Sequence, residues 1–172
     1  MVKKKEDEAV SKESLFMILD LLDGLNMRYW VDGGWGVDVL VGRQSRAHRD
    51  VDINFDADFE GVLIDKLLEL GYEIRTDWRP SRLELFHPQH GYIDVHPLQI
   101  NDSGDARQAN PEGGWYELKA EWFSSACFEG RLVPCISVEA QRLFHSGYEL
   151  RETDKADLEI LNQCFPHVQC KS

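Results

Sequence analysis

Apolar residues near the start of the chain recur at the spacing of an α-helix. The run Leu15–Leu22 follows Ser11 or Ser14, either of which is a typical N-terminal cap, and Gly24 closes it. The same spacing predicts a short helix that Gly42 stops, a longer amphipathic helix and two helices in the C-terminal third. These further helices cover residues 37–41, 59–70, 137–146 and 153–161.

A different periodicity marks the strands. Between Asp50 and Phe55 the odd-numbered residues are apolar and the even-numbered residues are polar, which predicts a strand with one buried face. Residues 101–114 are rich in turn-forming residues and are interpreted as a surface loop. Other predicted strands cover residues 29–31, 72–74, 82–86 and 92–96, the last two joined by a hairpin turn, with short pieces near 122–123 and 131–133.

Composition limits the class of protein. The 172 residues are 42% hydrophobic and 29% charged, as in a soluble domain, and 31 acidic against 19 basic residues give a net charge of −12. Such a surface repels nucleic-acid phosphates; it suits a cationic small molecule or serves solubility. No apolar run reaches membrane-spanning length, and the segment Met1–Glu8 lacks a secretory signal. Four cysteines without zinc-like spacing, including Cys170, indicate free thiols and a cytoplasmic location.

Three carboxylates are predicted to converge on the polar face of the sheet. Asp50 and Asp52 leave the same face of one strand, and Asp94 lies on the outward face of a later strand together with His96. Acids are common on exposed strand faces, so the first pair alone is weak evidence. Neighbouring carboxylates repel unless a hard cation lies between them, and Mg²⁺ prefers oxygen ligands. Three carboxylates from two strands therefore outline a two-metal site.

A glycine pair precedes these acids. Gly33-Gly34 follows a strand and opens a helix, where backbone N–H groups attract phosphate, although a tight turn also needs glycine. The pair belongs to neither a P-loop nor a G-x-G-x-x-G motif. Between the glycines and the acids, the segment Arg43–Arg49 is cationic and either supplies counter-charges for a triphosphate or forms a solvated loop.

Together these motifs resemble the nucleotidyltransferase signature of the DNA polymerase β superfamily, and the chain is similar to its antibiotic nucleotidyltransferases. Within these, it is identified as a member of the small lincosamide nucleotidyltransferase family, with a resemblance that runs from about Leu15 to Leu161. The stretches that carry it are Gly33-Gly34, Arg46-x-His48-x-Asp50-Val-Asp52 and Asp94, and also Tyr29–Asp38, His48–Ile53, Gln108–Gly114, Pro134–Ser137 and Leu143–Tyr148.

The resemblance implies an α+β class and a polymerase-β-type fold, with a mixed sheet flanked by helices and a small C-terminal helical part that closes the cleft. It implies Mg²⁺-dependent transfer of a nucleoside monophosphate, from ATP or another nucleoside triphosphate, to a hydroxyl of a lincosamide, with release of pyrophosphate. Asp50 and Asp52 would hold two Mg²⁺ ions. Asp94 would ligate the catalytic ion and accept the hydroxyl proton as a general base.

The binding residues follow from the same resemblance. Glu84 would meet the basic amine of a lincosamide or make a surface salt bridge, and Tyr92 and His96 would line an apolar wall, with Trp115, or belong to the core. Lys155 and Asp157 either face the cleft or lie on a solvated helix face. The phosphates would be bound by Gly33, Gly34 and Arg46, with His48 either touching the triphosphate or holding its loop.

Two other functions remain open on the sequence. One is an adenylyltransferase for an aminoglycoside or another cationic hydroxylated molecule, and the other is a non-catalytic nucleotide-binding module. The partners would be an antibiotic and a nucleoside triphosphate, without nucleic acid or membrane, for a monomer or a homodimer. Residues 1–100 would form the nucleotidyltransferase core, and residues 101–172 a loop, short strands and helices closing the cleft, within a single compact unit.

Overall fold

The computed structural model describes residues 9–146 and 148–166. The segment Met1–Glu8, Gly147 and Cys170 therefore lie outside the described residues. Within the described ranges, no helix has both the length and the apolar character that crossing a membrane requires.

The helices are α1 (Lys12–Gly24), α2 (Gly33–Val41), α3 (Glu60–Glu69), α4 (Val138–Phe144) and α5 (Glu152–Cys164). Ser11 caps α1, because its side chain accepts a hydrogen bond from the Ser14 N–H at 3.1 Å. Ser137 caps α4 in the same way. Gly42 ends α2 with a positive φ of 89°, as a C-terminal glycine does. The predicted helices are confirmed, with small shifts at their ends.

The strands described are β1 (Tyr29–Asp32), β2 (Asp50–Asp56), β3 (Glu73–Trp78), β4 (Arg82–His87), β5 (Gly91–Ile100), β6 (Ala106–Ala109), β7 (Trp115–Leu118), β8 (Phe123–Phe128) and β9 (Arg131–Ile136). They form one sheet in the order β3-β4-β5-β2-β1-β9-β8, and β6 pairs with β5 and with β7. The pairs β2–β5 and β1–β9 are parallel and the others antiparallel. The predicted α+β class with a mixed sheet is therefore confirmed.

One face of the sheet carries the main core. Val51, Ile53 and Phe55 of β2 are fully buried on it, as the alternation predicts. Apolar residues of α1 and α3 pack against the same cluster, including Leu19 and Leu67. The acids of β2 consequently leave the opposite face.

The prediction of a surface loop over residues 101–114 is wrong. This segment contains β6, and its turn-forming residues make two tight turns, closed by hydrogen bonds from Asn101 N–H to the Asp105 carbonyl (2.9 Å) and from Asn110 N–H to the Gly114 carbonyl (3.0 Å). The strand β6 was missed because its four residues, Ala106–Ala109, include no β-branched residue and lie between two turn-forming segments.

A second, smaller apolar cluster joins the C-terminal part to the sheet. It contains Leu98 of β5, Ala106 of β6, Ile136 of β9 and Ala140 of α4. Helix α2 packs against both α4 and α5. Strands on both sides of residue 100 belong to one sheet. The division into a nucleotidyltransferase core (residues 1–100) and a part that closes the cleft (residues 101–172) therefore stays a prediction.

Candidate active site

The turn from β1 into α2 requires both of its glycines. Gly33 has a φ of +61°, and a Cβ at this position would lie 3.0 Å from the Asp52 carboxyl carbon. A Cβ on Gly34 would lie 2.6 Å from His48 Nδ1 and would also meet the Arg46 guanidinium. The missing side chains thus allow β2 and the following loop to approach the helix N-terminus.

Four acids form one row across four neighbouring strands. In the strand register Asp32 of β1 faces Asp52 of β2, Asp52 faces Asp94 of β5, and Asp94 faces Glu84 of β4. Adjacent strands are about 4.8 Å apart, so the row concentrates negative charge along one line. Sequence analysis missed Asp32, which caps α2 by accepting the Gly33 N–H at 2.7 Å and also accepts a hydrogen bond from Asn54 at 3.0 Å. The sequence feature that could have identified Asp32 is its position at the end of a strand, directly before Gly33-Gly34.

The centre of this row has the donor set of a metal site. Asp52, Asp94 and His96 each offer a ligand atom, and these atoms all lie within 4.8 Å of one another. Asp94 Oδ1 is buried without a hydrogen-bond partner among the described residues. Asp50 lies two residues before Asp52 on the same strand, and its partner in the register is Tyr92. Carboxylate oxygens with an unused buried acceptor fit a hard divalent cation.

Crowding of like charges is visible in the acid pKa values. Burial and the charges of Asp52 and Asp94 raise the pKa of Asp50 to about 7. Burial raises the pKa of Asp94 above its ordinary value, although His96 and Arg82 oppose the shift. Burial and the Asp52 charge also raise the pKa of Asp32. A cation between these carboxylates would remove the cause of the repulsion.

His96 belongs to the acid cluster and does not form an apolar wall. Its Nε2 lies 3.3 Å from Asp52 Oδ1 and 3.8 Å from Asp94 Oδ1, and Gln108 Nε2 lies 3.3 Å from its Nδ1. Burial lowers the pKa of His96, but the hydrogen bond to Asp52 and the neighbouring carboxylates outweigh it, so the pKa is raised overall.

Tyr92 lies outside the cavity that the acids line. The Arg49 guanidinium carbon is 4.0 Å from the centre of its ring, and the Phe86 ring stacks at 4.8 Å between centroids. Tyr92 is buried and is absent from the described residues that line the cavity. The expectation that it lines the acceptor wall is therefore corrected, because Arg49 lies over it.

Two alternating residues of β4 face the same acids. The Arg82 guanidinium bonds to the Asp94 carboxylate through Nη1. Glu84 lines the cavity, accepts a hydrogen bond from Thr76 Oγ1 at 3.1 Å and lies 3.5 Å from Arg49 Nη1. Sequence analysis missed Arg82, although its position two residues before Glu84 places both on one face of the strand.

The arginine-rich loop is held from two sides. Arg46 makes a two-point contact with Asp157 of α5, through Nε at 2.9 Å and Nη2 at 2.8 Å. His48 is buried, and its Nε2 lies 2.5 Å from Asp38 Oδ2. This contact ties the loop to α2, and His48 also lines the cavity, so both roles expected for it stay predictions. Asp157 is buried and faces the cleft, which corrects the expectation of a solvated helix face there, whereas Lys155 is exposed.

These groups surround an open cavity of about 920 Å³. The acid row lines it, and so do the arginines Arg46, Arg49, Arg82 and Arg151. Carboxylates together with arginines in one cavity match a triphosphate that carries a divalent metal. Apart from Asp157, no C-terminal lining residue was predicted as a site residue, because they are spread over the end of α4, the following connection and the start of α5. They are Phe144, His145, Tyr148, Arg151, Thr153 and Asp154.

Known proteins resemble this chain over most of its length. Residues 14–161 match the family described as aminoglycoside-2''-adenylyltransferase. A lincosamide resistance protein of Staphylococcus haemolyticus is 53% identical over 152 residues, which cover 88% of this chain and 94% of that protein. A 2''-aminoglycoside nucleotidyltransferase of Klebsiella pneumoniae is 37% identical, over 73% of this chain and 67% of that protein.

Solved structures agree with the sequence comparison. The lincomycin-bound crystal structure of the lincosamide antibiotic adenylyltransferase LnuA is 52% identical and superposes with a TM-score of 0.86, covering 91% of this chain and 99% of that chain. This match confirms the predicted nucleotidyltransferase fold. With the site acids in place, the alternative of a non-catalytic module loses its support, and the chain is an enzyme that transfers nucleotides.

Proposed function

The chain belongs to the aminoglycoside-2''-adenylyltransferase family, and on that premise we propose that it inactivates lincosamide antibiotics by nucleotidyl transfer. The donor is a nucleoside triphosphate, ATP foremost, and the acceptor is a hydroxyl of the antibiotic. Pyrophosphate leaves as the new phosphodiester forms. The identity of 53% with a lincosamide resistance protein supports this acceptor over others.

One observation carries the chemistry: the strand register sets Asp52 directly opposite Asp94, beside the N-terminus of α2. Asp50, Asp52 and Asp94 would hold Mg²⁺, two ions in this proposal, which when bound neutralises triphosphate charge and makes an acceptor hydroxyl more acidic. Asp94 Oδ1 is buried and accepts no hydrogen bond from the described residues, which supports Asp94 as the group that accepts the hydroxyl proton.

The donor site lies at the N-terminus of α2 and the neighbouring arginines. Gly33 and Gly34 line the cavity there. Asp32 already accepts the Gly33 N–H, so the following N–H groups of the first turn would meet the phosphate oxygens. Arg49 and Arg151 also line it and supply positive charge. Arg46 contributes charge as well, but its donors already bind Asp157 and the Ala47 carbonyl, so its first role is to hold α5 over the donor.

A mass measurement tests donor and acceptor together. Lincomycin is incubated with the enzyme, Mg²⁺ and each nucleoside triphosphate in turn, and the product is weighed. We expect a gain of one nucleotidyl group with ATP, its loss in chelator, and a gain about 100-fold slower or less with Asp94→Asn. An unchanged mass of lincomycin with every donor would refute the proposed acceptor.

An aminoglycoside is the second candidate acceptor. The family match, the Klebsiella pneumoniae relative and the acid row ending in Glu84 all favour a polycationic hydroxylated molecule. The same assay with kanamycin decides between the two. Preferential modification of kanamycin would replace the lincosamide as the acceptor and leave the nucleotidyl-transfer chemistry intact.

We further propose that the enzyme works in the cytoplasm, where ATP is supplied and thiols stay reduced. The described cysteines Cys127, Cys135 and Cys164 are free, which agrees with a reducing compartment. Whether the active form is a monomer or a homodimer is decided by light scattering at assay concentrations.

A further inference from the structure

Arg82 connects the acid row to the end strand of the sheet. Its Nη1 donates a hydrogen bond to Asp94 Oδ2. On its other side, the guanidinium carbon lies 4.7 Å from the centre of the Trp78 ring, and the strand register sets Trp78 directly opposite Arg82. The three side chains therefore form one continuous line of contacts, from β3 across β4 to the carboxylate on β5.

The bond to Arg82 makes the two oxygens of Asp94 different. Oδ2 is occupied by the guanidinium, whereas Oδ1 is buried and accepts no hydrogen bond from the described residues. Oδ1 also lies 3.8 Å from His96 Nε2, inside the cluster of metal donors. The last torsion of an aspartate has broad minima, so its carboxylate orientation depends on such partners.

The neighbouring acids would otherwise turn this carboxylate away. In the strand register Asp94 lies between Asp52 and Glu84, and like charges directly opposite each other repel. Arg49 serves other acids, because its Nη1 lies 3.5 Å from Glu84 and 3.7 Å from Asp50. Arg82 is thus the arginine that holds Asp94 against this repulsion.

We propose that Arg82 is a positioning residue for Asp94, and that Trp78 in turn holds Arg82 in place. The inference rests on the proposed function, in which Asp94 accepts the hydroxyl proton, and it adds the residues that orient the accepting atom. With Oδ2 held, Oδ1 takes the proton as the acceptor oxygen bonds to the α-phosphorus and the bond to pyrophosphate breaks. A planar guanidinium can bond to a carboxylate and lie over an indole at the same time, which an ammonium group does less well.

Three roles of Arg82 are separable by kinetics. A contact with the triphosphate would raise the KM for ATP when Arg82 is truncated, and a contact with the antibiotic would raise the KM for the acceptor. A positioning role leaves both KM values near those of the wild type and lowers kcat, because the orientation of Oδ1 matters only when the proton moves.

A double-mutant cycle tests the inference directly. The turnover numbers of Arg82→Ala, Asp94→Asn and the double variant are measured with whichever antibiotic the wild-type enzyme modifies. We expect Arg82→Ala to lower kcat by about 10- to 100-fold, as misplacement of a reacting group by about 1 Å does. The double variant should be no slower than Asp94→Asn alone, because Arg82 acts through the carboxylate.

Trp78 provides a second variant that leaves both polar partners in place. It is 56% exposed and lies outside the described lining of the catalytic cavity, so Trp78→Ala should fold normally. We expect it to lower kcat by about two- to fivefold, which corresponds to the loss of one exposed cation–π contact. It should cause no further loss when combined with Arg82→Ala.

Arg107→Ala is the matched control. Its guanidinium carbon also lies over an indole, 4.1 Å from the centre of the Trp115 ring, but Arg107 is exposed and bonds to Gln99 outside the catalytic cavity. Arg107→Ala should keep the wild-type kcat. Urea midpoints of all variants show whether a loss of rate reflects a loss of folded protein.

Losses that multiply in the double variant, or a raised KM with normal kcat, would overturn the inference, because Arg82 would then contact a substrate itself. Where Arg82→Ala does not fold, a wild-type kcat of Trp78→Ala overturns it. An Asp94→Asn enzyme with undiminished rate would refute the proposed base and this inference together. A slow Asp94→Asn beside a normal Arg82→Ala refutes the positioning role alone and leaves the proposed function standing.

Discussion

Replacing Gly33 by alanine tests how closely the helix turn and the acid row fit together. Gly33 has a φ of +61°, in the left-handed region that costs a residue with a Cβ about 1–2 kcal/mol. The new Cβ would also lie 3.0 Å from the Asp52 carboxyl carbon, and closer still to one carboxylate oxygen. Either the Asp52 side chain or the start of α2 must therefore move.

The two effects are separable with a matched variant. Gly130 has a φ of +80°, and a Cβ there would meet no atom within 4 Å. Gly130→Ala should show the backbone strain alone, about 1–2 kcal/mol in the free energy of unfolding measured with urea. Gly33→Ala should lose more than this, because the contact with Asp52 is added to the strain.

Activity should separate the variants further. A displacement of a catalytic group by about 1 Å costs roughly 100-fold in rate, so we expect Gly33→Ala to lower kcat/KM by about that factor. Gly130→Ala, between β8 and β9, should keep the wild-type rate. A Gly33→Ala enzyme that unfolds like Gly130→Ala and keeps its rate within about threefold would refute the close fit.

Three further predictions concern the acids. Asp94→Asn should lower the turnover number about 100-fold or more while leaving ATP affinity near normal; recovery at high Mg²⁺ would mean that Asp94 is a ligand only. Asp157→Asn breaks the two-point contact with Arg46 and should lower the free energy of unfolding by about 1.5–3 kcal/mol. Glu159→Gln, at an exposed position of the same helix, should leave it unchanged. Equal urea midpoints for the two variants would contradict this prediction. The pKa of Asp50 is raised to about 7, so the folded state binds this proton more tightly than the unfolded chain does. Metal-free protein should therefore lose stability as the pH rises from about 4 to about 7. Asp50→Asn should flatten that slope in thermal unfolding with chelator and stabilise the protein at pH 8; an unchanged slope would exclude Asp50 as its source.

The sequence predicted those parts of the site that a single strand determines. Alternation assigned Asp50 and Asp52 to the polar face, because the two-residue period decides the face of each side chain. The ladder that sets Asp52 between Asp32 and Asp94 depends on which strands pair, and no local pattern encodes that.

Long-range contacts explain the remaining differences. Arg46 and Asp157 are 111 residues apart in the chain, and each has the sequence context of a solvated charge until the fold joins them. Tyr92 has the right spacing for the site face, yet Arg49 lies over it. In both cases a side-chain partner, and not backbone periodicity, determines what remains accessible.

The position of the acid row in the sheet has an evolutionary consequence. The row lies on β4, β5, β2 and β1, where inserting one residue would turn the following side chains to the other face. The turns at the margin of the sheet, at residues 79–81 and 110–114, tolerate changes in length and sequence. Insertions and deletions are therefore expected to accumulate in those turns, while the central strands keep their length.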